Sequence, residues 1–104
     1  MNTQILREYC ILKMDVTENF PFGDCILVLK TKGSTVALVN LEGDLSINLK
    51  CDPALGIELR ESYSSVILGH NMNKKHWNTV DLDGLVPDIE VYSCIDHSYD
   101  LVSK

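Results

Sequence analysis

The sequence predicts an α+β fold, a two-layer sandwich with helices on one face of an antiparallel sheet, in the order α-β-β-β-α-β-β-α. Apolar residues recur every three or four positions in three segments, and short apolar or alternating segments lie between them. The connections between the first strands are too short for helical crossovers, which indicates an antiparallel meander. With 104 residues and 45% hydrophobic side chains, the chain is expected to form one domain, residues 1–104, around a single core.

The first helix is predicted over residues 2–14, because apolar side chains recur there at helical spacing. Asn2 or Thr3 is suited to cap its beginning. Its apolar stripe contains Ile5, Tyr9 and Leu12, flanked by Leu6 and Cys10. Proline and glycine in residues 18–24, ENFPFGD, then end the helical pattern.

Three strands are predicted next, over residues 26–29, 35–40 and 45–50, with turns at Gly33 and Gly43. The first is a continuous apolar run, the second is apolar and β-branched, and the third alternates between apolar and polar side chains. Successive strands of a meander run in opposite directions. Lys30, Lys32 and Lys50 are therefore expected at one end of the sheet, and the acidic turn 42–44 at the other.

The second helix is predicted to begin at Asp52 and Pro53, as cap and first helical residue, with Gly56 weakening it. Strands are expected at 66–68 and 76–82. The last helix begins at Pro87, and acidic residues in its first turn complement the helix dipole. Its predicted apolar stripe contains Ile89, Tyr92, Ile95, Tyr99 and Val102.

The net charge of −6 is unevenly distributed along the chain. Residues 1–49 carry a balance of −2, residues 50–80 a balance of +1, and residues 81–104 a balance of −5. So acidic a chain is not expected to wrap a polyanion around its whole surface, although a local basic patch is compatible with this balance. No apolar run reaches the roughly 20 residues of a membrane helix, and the N-terminus does not resemble a secretory signal. A cytoplasmic protein without membrane contact is expected.

The segment HNMNKKHW, residues 70–77, is the strongest candidate for a binding site. Lys74 and Lys75 are suited to contact phosphates, asparagines can add hydrogen bonds, and Trp77 can stack on a base. A solvated turn beside a core tryptophan explains the same composition. Lys30 and Lys32, at another hairpin, favour the binding interpretation because two basic tips can grip one duplex.

Other chemistry has less support in the sequence. His70 and His76 flank the basic hairpin, but neither has an acidic residue or cysteine nearby to complete a metal site. Asp81 and Asp83 are better explained by turn formation than by catalysis or metal binding. The four cysteines are widely separated and are expected to remain buried thiols. No nucleophile or phosphate-loop motif is present, so neither an enzyme nor a cofactor is predicted.

Several runs in this sequence resemble the MmcQ/YjbR family of small bacterial proteins. They are FPFGD (20–24), NLKCDP (48–53), MNKKHWNTV (72–80), LDG (82–84), VPD (86–88) and IDHSYDLV (95–102). The resemblance extends over nearly the full chain, with the segments in the family's order. It implies a CyaY-like, or secretion-chaperone-like, α+β architecture and DNA binding through a double-wing arrangement of hairpins.

The resulting hypothesis is a non-enzymatic protein that binds DNA weakly and in a salt-sensitive manner through basic hairpin tips. The matched motif supplies Asn73, Lys74, Lys75, His76 and Trp77, and the NLKCDP run supplies Lys50. Lys30 and Lys32 join this set through their position in the predicted meander. The alternative is a chaperone-like module that binds a protein partner, or a second copy of itself, through a sheet edge or a helix face.

Overall fold

The fold, seen in a computed structural model that describes residues 1–69 and 73–103, is α+β as predicted. Its three helices are α1 (Thr3–Ile11), α2 (Pro53–Ser62) and α3 (Asp88–Ser103). Its six strands are β1 (Val16–Asn19), β2 (Ile26–Thr31), β3 (Ser34–Asn40), β4 (Ser46–Lys50), β5 (Val66–Leu68) and β6 (Trp77–Asp81). Among the described residues, no helix combines the length and the apolar character needed to cross a membrane.

All strands belong to one antiparallel sheet in the order β1-β2-β3-β4-β6-β5. The predicted order of elements is present, with β1 as an additional strand. Strand β1 pairs with β2 from Val16 opposite Thr31 to Asn19 opposite Val28. Its four residues are too few for an alternation pattern to stand out. The Arg7 guanidinium of α1 donates to both carboxylate oxygens of Glu18, at 2.5 and 2.8 Å. This ion pair allows a charged side chain to occupy a position in β1 that faces the helices.

The three helices pack on one face of the sheet. Buried side chains of α1 and α3 meet the alternate residues of the central strands in a single core. That core contains Leu6, Cys10, Leu27, Leu29, Ala37, Val39, Ile47, Leu49, Val66, Val80, Val86, Val91 and Ile95. The remaining residues of each strand point to the opposite side, which we call the open face.

Two predicted apolar stripes are rotated in the structure. Helix α1 buries Leu6 and Cys10, whereas Leu12 remains 85% exposed beyond the last turn. In α3, Ile89 is 74% exposed and Val91 is buried instead. Leu6 and Cys10 are four residues apart, as are Val91 and Ile95, so each true stripe also obeys helical periodicity. Contact with the sheet, rather than periodicity, selects between the two registers.

The caps of α1 and α2 form as the sequence predicts. Asn2 Oδ1 accepts the N–H of Ile5 at 2.9 Å. Asp52 Oδ2 accepts the N–H groups of Ala54 and Leu55, and Pro53 occupies the first turn of α2. Both caps depend on neighbours within three residues, which explains why they can be predicted from the local sequence.

Gly56 has a packing role in α2 that the sequence pattern did not show. A Cβ at this position would lie 2.9 Å from Cys51 Sγ and 3.3 Å from an Arg60 guanidinium nitrogen. The carbonyl of Gly56 also accepts the side-chain amide of Asn78 at 3.2 Å. The glycine therefore lets α2 approach the end of β4 and the start of β6 closely.

A buried serine fastens α3 to the sheet. The pairing of β2 with β3 shifts register at Leu29/Lys30, which leaves Val36 without a counterpart in β2. Ser98 is fully buried, donates its hydroxyl to the carbonyl of Val36 at 2.7 Å and accepts the N–H of Lys50 at 3.0 Å. One hydroxyl thus satisfies the buried Val36 carbonyl and the partly buried Lys50 N–H, and it fixes the end of β4.

Candidate nucleic-acid interface

The strand pairing places two basic turns at the same end of the sheet. Strand β2 ends with Thr31 opposite Ser34, so the Lys32–Gly33 turn lies at this end. Strand β4 ends with Lys50 opposite Trp77, so the segment that leads into β6 lies there too. Lys30, Lys32 and Lys50 occupy one end, as the meander predicts. Lys74 and Lys75, whose location the sequence left open, lie at that same end.

We call this region the basic end and define it by Lys30, Lys32, Lys50, Lys74 and Lys75. Lys32, Lys74 and Lys75 are exposed, whereas Lys30 and Lys50 are half-buried. Strands β2 and β6 are separated by β3 and β4, so these lysines extend over about 15 Å at the usual strand spacing. The predicted basic residues are therefore brought together in space.

The other described cations have side-chain partners. Arg7 pairs with Glu18 at 2.5 Å, Lys13 pairs with Asp96 at 2.5 Å, and Arg60 donates to Asn78 Oδ1 at 2.6 Å. Within residues 1–69 and 73–103, no ion pair or side-chain hydrogen bond involves the five ammonium groups of the basic end. Their charge is thus not neutralised by a carboxylate of the described chain.

Asp52 and Asp15 are next in sequence to strands whose ends lie at the basic end. Asp52 follows β4, but its Oδ2 is occupied by the N-terminal N–H groups of α2. Asp15 precedes β1 and has a φ of 61°, which places it in a tight turn. Neither forms an ion pair with any lysine of the described chain.

The turn before β6 is organised by Asn73. Its Oδ1 accepts the N–H of Lys75 at 3.0 Å, and its carbonyl accepts the N–H of His76 at 3.1 Å. The carbonyl of His76 in turn accepts the N–H of Cys51 at 2.8 Å, which ties the turn to the end of β4. Asn73 and His76 therefore position Lys74 and Lys75. His70, Asn71 and Met72, part of the same predicted site, lie outside the described residues.

The β2–β3 turn presents Lys32 in an unusual backbone conformation. Lys32 has a φ of 51° and Gly33 a φ of 82°, as in a type I′ hairpin turn. Asparagine is favoured at the first of these positions, because its side chain lowers the cost of a positive φ. A lysine in this turn places an exposed ammonium group beyond the ends of β2 and β3.

Trp77 lies at the start of β6, directly opposite Lys50, and is half-buried. The alternate residue Asn78 reaches α2, so the indole is on the open face. Trp77 is therefore beside the basic end rather than in the main core. The sequence left both placements open.

The opposite end of the sheet is acidic. The turns between β1 and β2, between β3 and β4, and after β6 all lie there. We call it the acidic end, and its carboxylates are Asp24, Glu42, Asp44, Asp81 and Asp83. Asp83 accepts the N–H of Leu85 and, through both oxygens, the hydroxyl of Ser65. The backbone hydrogen bond from Leu85, followed by that from Ser65, lowers the pKa of the Asp83 carboxyl.

Groups with other chemistry are dispersed or structurally engaged. Within the described residues, no three histidine, cysteine or acidic side chains are grouped so that they could hold a metal ion. His97 accepts the N–H of Asp52 through Nε2 at 3.0 Å. A depression of about 500 Å³ lies along α1, and its lining includes Arg7 and its partner Glu18 of β1. It is lined by no residue of the basic end.

The four cysteines are free thiols. Cys10 and Cys51 are buried, as predicted, whereas Cys94 is only half-buried and Cys25 is exposed at the acidic end. Burial raises the pKa of both Cys10 and Cys94 to about 11, which keeps these thiols protonated and unreactive. The exposure of Cys25 corrects the expectation that all four thiols are buried.

Comparison with known proteins gives one consistent family. A family model described as YjbR matches residues 13–101. The Escherichia coli K12 protein YjbR is 32% identical over 100 residues, which cover 95% of this chain and 85% of that protein. The crystal structure of Deinococcus radiodurans protein DR2400, with a DUF419 domain, superposes with a TM-score of 0.95 at 39% identity, covering 99% of this chain and 79% of that one. A Pseudomonas syringae crystal structure gives a TM-score of 0.86 at 27% identity, covering 98% and 99%.

Proposed function

This chain belongs to the YjbR family, and from the geometry of its basic end we propose that it is a DNA-binding protein that contacts phosphates through two hairpin tips. The first tip is the Lys32–Gly33 turn, and the second carries Lys74 and Lys75. Lys50 lies between them at the end of β4. The contact is one of binding rather than catalysis and requires no metal or cofactor. A cytoplasmic location is part of this proposal.

The observation that carries this proposal is the distribution of unpaired cations. The sequence contains nine lysine and arginine residues, and all except Lys104 are described. Three of the eight have side-chain partners, and the other five lie together at one end of the sheet. An unpaired ammonium keeps its hydration and counterions until it meets a phosphate, and the release of counterions from DNA then favours binding.

The segregation of charge also supports a defined orientation. The basic end and the acidic end lie at opposite ends of the same strands, so the molecule has a strong charge asymmetry despite its net charge of −6. A polyanion attracts the first and repels the second, which orients the protein as it approaches. The acidic end also limits the contact area, so affinity should be modest.

The proposal is tested by fluorescence anisotropy with labelled DNA over a series of salt concentrations. If five lysines contact phosphates, log K should fall against log salt with a slope no steeper than about −4.5. The variant Lys74→Gln with Lys75→Gln should reduce the slope by about 2 and lower affinity on the order of tenfold at low salt. Both side chains are exposed, so the fold should be unaffected.

The matched control is Ser64→Glu with Ser93→Glu. It changes the net charge by the same −2 but places the charges at exposed positions away from the basic end. The control should bind DNA nearly as well as the wild type. Equal affinities of wild type and lysine variant at low salt would contradict the proposal, as would equal losses in both variants.

A second candidate function is protein binding through an edge strand. Strand β5 is at the edge of the sheet and has only three residues. Its Ile67 and Leu68 are 46% and 45% exposed, so an apolar pair lies on an edge strand. A partner strand or a second copy of the chain could add here. Light scattering tests self-association, which should disappear in Ile67→Lys, and a strict monomer at high concentration would exclude a homodimer.

A further inference from the structure

We propose that the open face of the sheet is the path of a single nucleic-acid strand, with Trp77 stacking on a base and Lys30 and Lys50 holding the backbone. The inference rests on the proposed DNA binding and deepens it. It assigns the strandedness of the ligand and a contact surface beyond the hairpin tips.

One row of side chains crosses the open face near the basic end. Lys30 of β2 pairs with Thr17 of β1 and with Thr35 of β3, and Lys50 of β4 pairs with Trp77 of β6. The neighbouring residues in these strands, Leu29, Leu49 and Asn78, point to the helices. Lys30 and Lys50 are therefore on the same surface, about 10 Å apart across two strand spacings, with the indole beside Lys50.

The next row is uncharged. It contains Asn19, Val28, Leu38, Asn48, Thr79 and Ile67, in register across the six strands. Val28 and Thr79 are buried, and Thr79 donates its hydroxyl to Asn48 Oδ1. Between them in the row lie Leu38 and Asn48, which are half-buried. The chain has fifteen acidic residues, yet neither row includes one. The first carboxylate on this face belongs to Asp81, in a third row at the acidic end.

The edge of the sheet beside Trp77 is glycine. Gly69 donates its N–H to the Trp77 carbonyl at 2.9 Å, and a Cβ at Gly69 would lie 2.7 Å from Trp77 Cβ. Gly69 itself therefore places no side chain beside Trp77 Cβ. A half-buried indole beside the Lys50 ammonium is suited to stack on a base whose phosphate meets Lys50.

This surface fits a single strand better than a duplex. The bases of a duplex are stacked on one another, so a tryptophan on a sheet cannot reach their faces without unstacking them. A single strand presents its bases freely, and sheets that bind single strands combine aromatic platforms with a positively charged track for the backbone. The open face supplies both between β2 and β6, and the basic end continues the track toward the tips.

The fluorescence of Trp77, the sole tryptophan of the chain, reports on the proposed contact directly. The protein is titrated with a mixed-sequence DNA strand of about 12 nucleotides, a typical site size for such surfaces. The same sequence as a duplex is titrated in parallel. We expect the single strand to quench the indole and to bind about tenfold more tightly than the duplex, the factor that one stacked base contributes.

Two variants separate the face from the tips. Lys30→Gln with Lys50→Gln should lower single-strand affinity about tenfold, and Ser64→Glu with Ser93→Glu serves again as the control of equal charge change. Trp77→Leu should remove the preference for the single strand while retaining the salt-dependent contact of the tips. Circular dichroism verifies that each variant is folded, and the wild-type quenching experiment decides the question even if Trp77→Leu does not fold.

The outcomes distinguish this inference from the proposed function. Equal binding of strand and duplex, with unchanged indole fluorescence and a loss in Lys74→Gln with Lys75→Gln, would overturn the open-face path and leave tip binding intact. Failure of both DNA forms to bind at low salt would overturn both. The open-face path would also be overturned if the variant Lys30→Gln with Lys50→Gln bound the single strand with wild-type affinity and showed the same quenching of the indole.

Discussion

The basic end and the acidic end of the sheet are made by the same strands but use their charges differently. At the acidic end, Asp83 is occupied by the Leu85 N–H and the Ser65 hydroxyl, so this carboxylate stabilises the loop after β6. At the basic end, the five ammonium groups have no side-chain partner within the described chain. Charge that is not used within the fold remains available for a ligand, which identifies the basic end as the candidate interface.

The comparison also shows why the net charge of this protein is a poor guide to its surface. In an antiparallel sheet of neighbouring strands, alternate connections lie at the same end. Lysines in one set of connections and carboxylates in the other are therefore separated by the length of a strand, although they are only about ten residues apart in sequence. A total of −6 conceals a positive surface about four strands wide.

The largest expected effect comes from reversing charge at both tips. Lys32→Glu with Lys74→Glu should lower DNA affinity on the order of 100-fold at low salt and reduce the salt slope by about 2. Each of the two substitutions removes one phosphate contact and adds a repulsion between the new carboxylate and the DNA. Anisotropy titrations of the two single variants and the double variant measure this. If only one tip contacts DNA, one of the single variants will bind like the wild type.

The matched experiment at the acidic end sharpens the comparison. Glu42→Gln with Asp44→Asn removes two exposed charges from the opposite end of the same strands. Affinity should rise by no more than about threefold at low salt, and the gain should vanish at physiological salt, because the Debye length is then about 8 Å. A loss of affinity would show that DNA reaches the acidic end.

A second large effect concerns the residue that holds the basic end in place. Ser98→Ala removes the partner of the buried Val36 carbonyl and of the partly buried Lys50 N–H. It should lower the free energy of unfolding by about 1–3 kcal/mol, as measured by urea denaturation. Ser93→Ala, an exposed change in the same helix, is the control and should be neutral or slightly stabilising. Equal stabilities of the two variants would contradict the assigned role of Ser98.

A smaller effect of opposite sign is expected at the β2–β3 turn. Lys32→Asn places a residue that tolerates positive φ at the first turn position. We expect the free energy of unfolding to rise by roughly 0.5 kcal/mol while DNA affinity falls, since the tip loses its charge. The control, Lys30→Asn, removes the same charge from an extended position of β2 and should be neutral or destabilising. A less stable Lys32→Asn would contradict the type I′ account.

The smallest effect is a pH dependence located away from the basic end. The carboxyl of Asp96 is partly desolvated, which opposes ionisation, but hydrogen bonds from Lys13 and Tyr9 outweigh this and lower its pKa. A carboxyl with a lowered pKa in the folded state stabilises the fold above its unfolded pKa of about 4, and this contribution is lost as the pH falls further. The free energy of unfolding should thus decline below about pH 4.

Asp96→Asn should flatten this acid dependence modestly, because the group is partly exposed and screened by solvent. Asp100→Asn, in the same helix and without an ion pair in the described chain, is the control. Urea denaturation at a series of pH values measures both variants. Tyr9→Phe should act in the same direction as Asp96→Asn, because it removes the 2.6 Å hydrogen bond to this carboxyl. An unchanged acid dependence in Asp96→Asn would contradict the assignment.

Features that depend on near neighbours in sequence could be predicted. The caps at Asn2 and Asp52 require only the next three residues, and the alternation of β4 reflects the two faces of one strand. The shared location of Lys30, Lys32 and Lys50 also followed, since short connections leave a meander as the only topology. These three of the five lysines of the basic end could therefore be predicted from the sequence, because their location depends on strand direction alone.

The rest was decided by packing between distant segments. Helix α2 crosses from β4 to β5, and β6 returns between them, so that Lys74 and Lys75 come to the basic end. No local pattern marks this choice. The same holds for the burial of Ser98, which depends on a bulge 62 residues earlier in the chain. Sequence by itself determined the elements and their short-range order, because these follow from local hydrogen bonding and periodicity. Tertiary structure decided which elements became neighbours, because the burial of apolar area across the sheet depends on the whole chain at once.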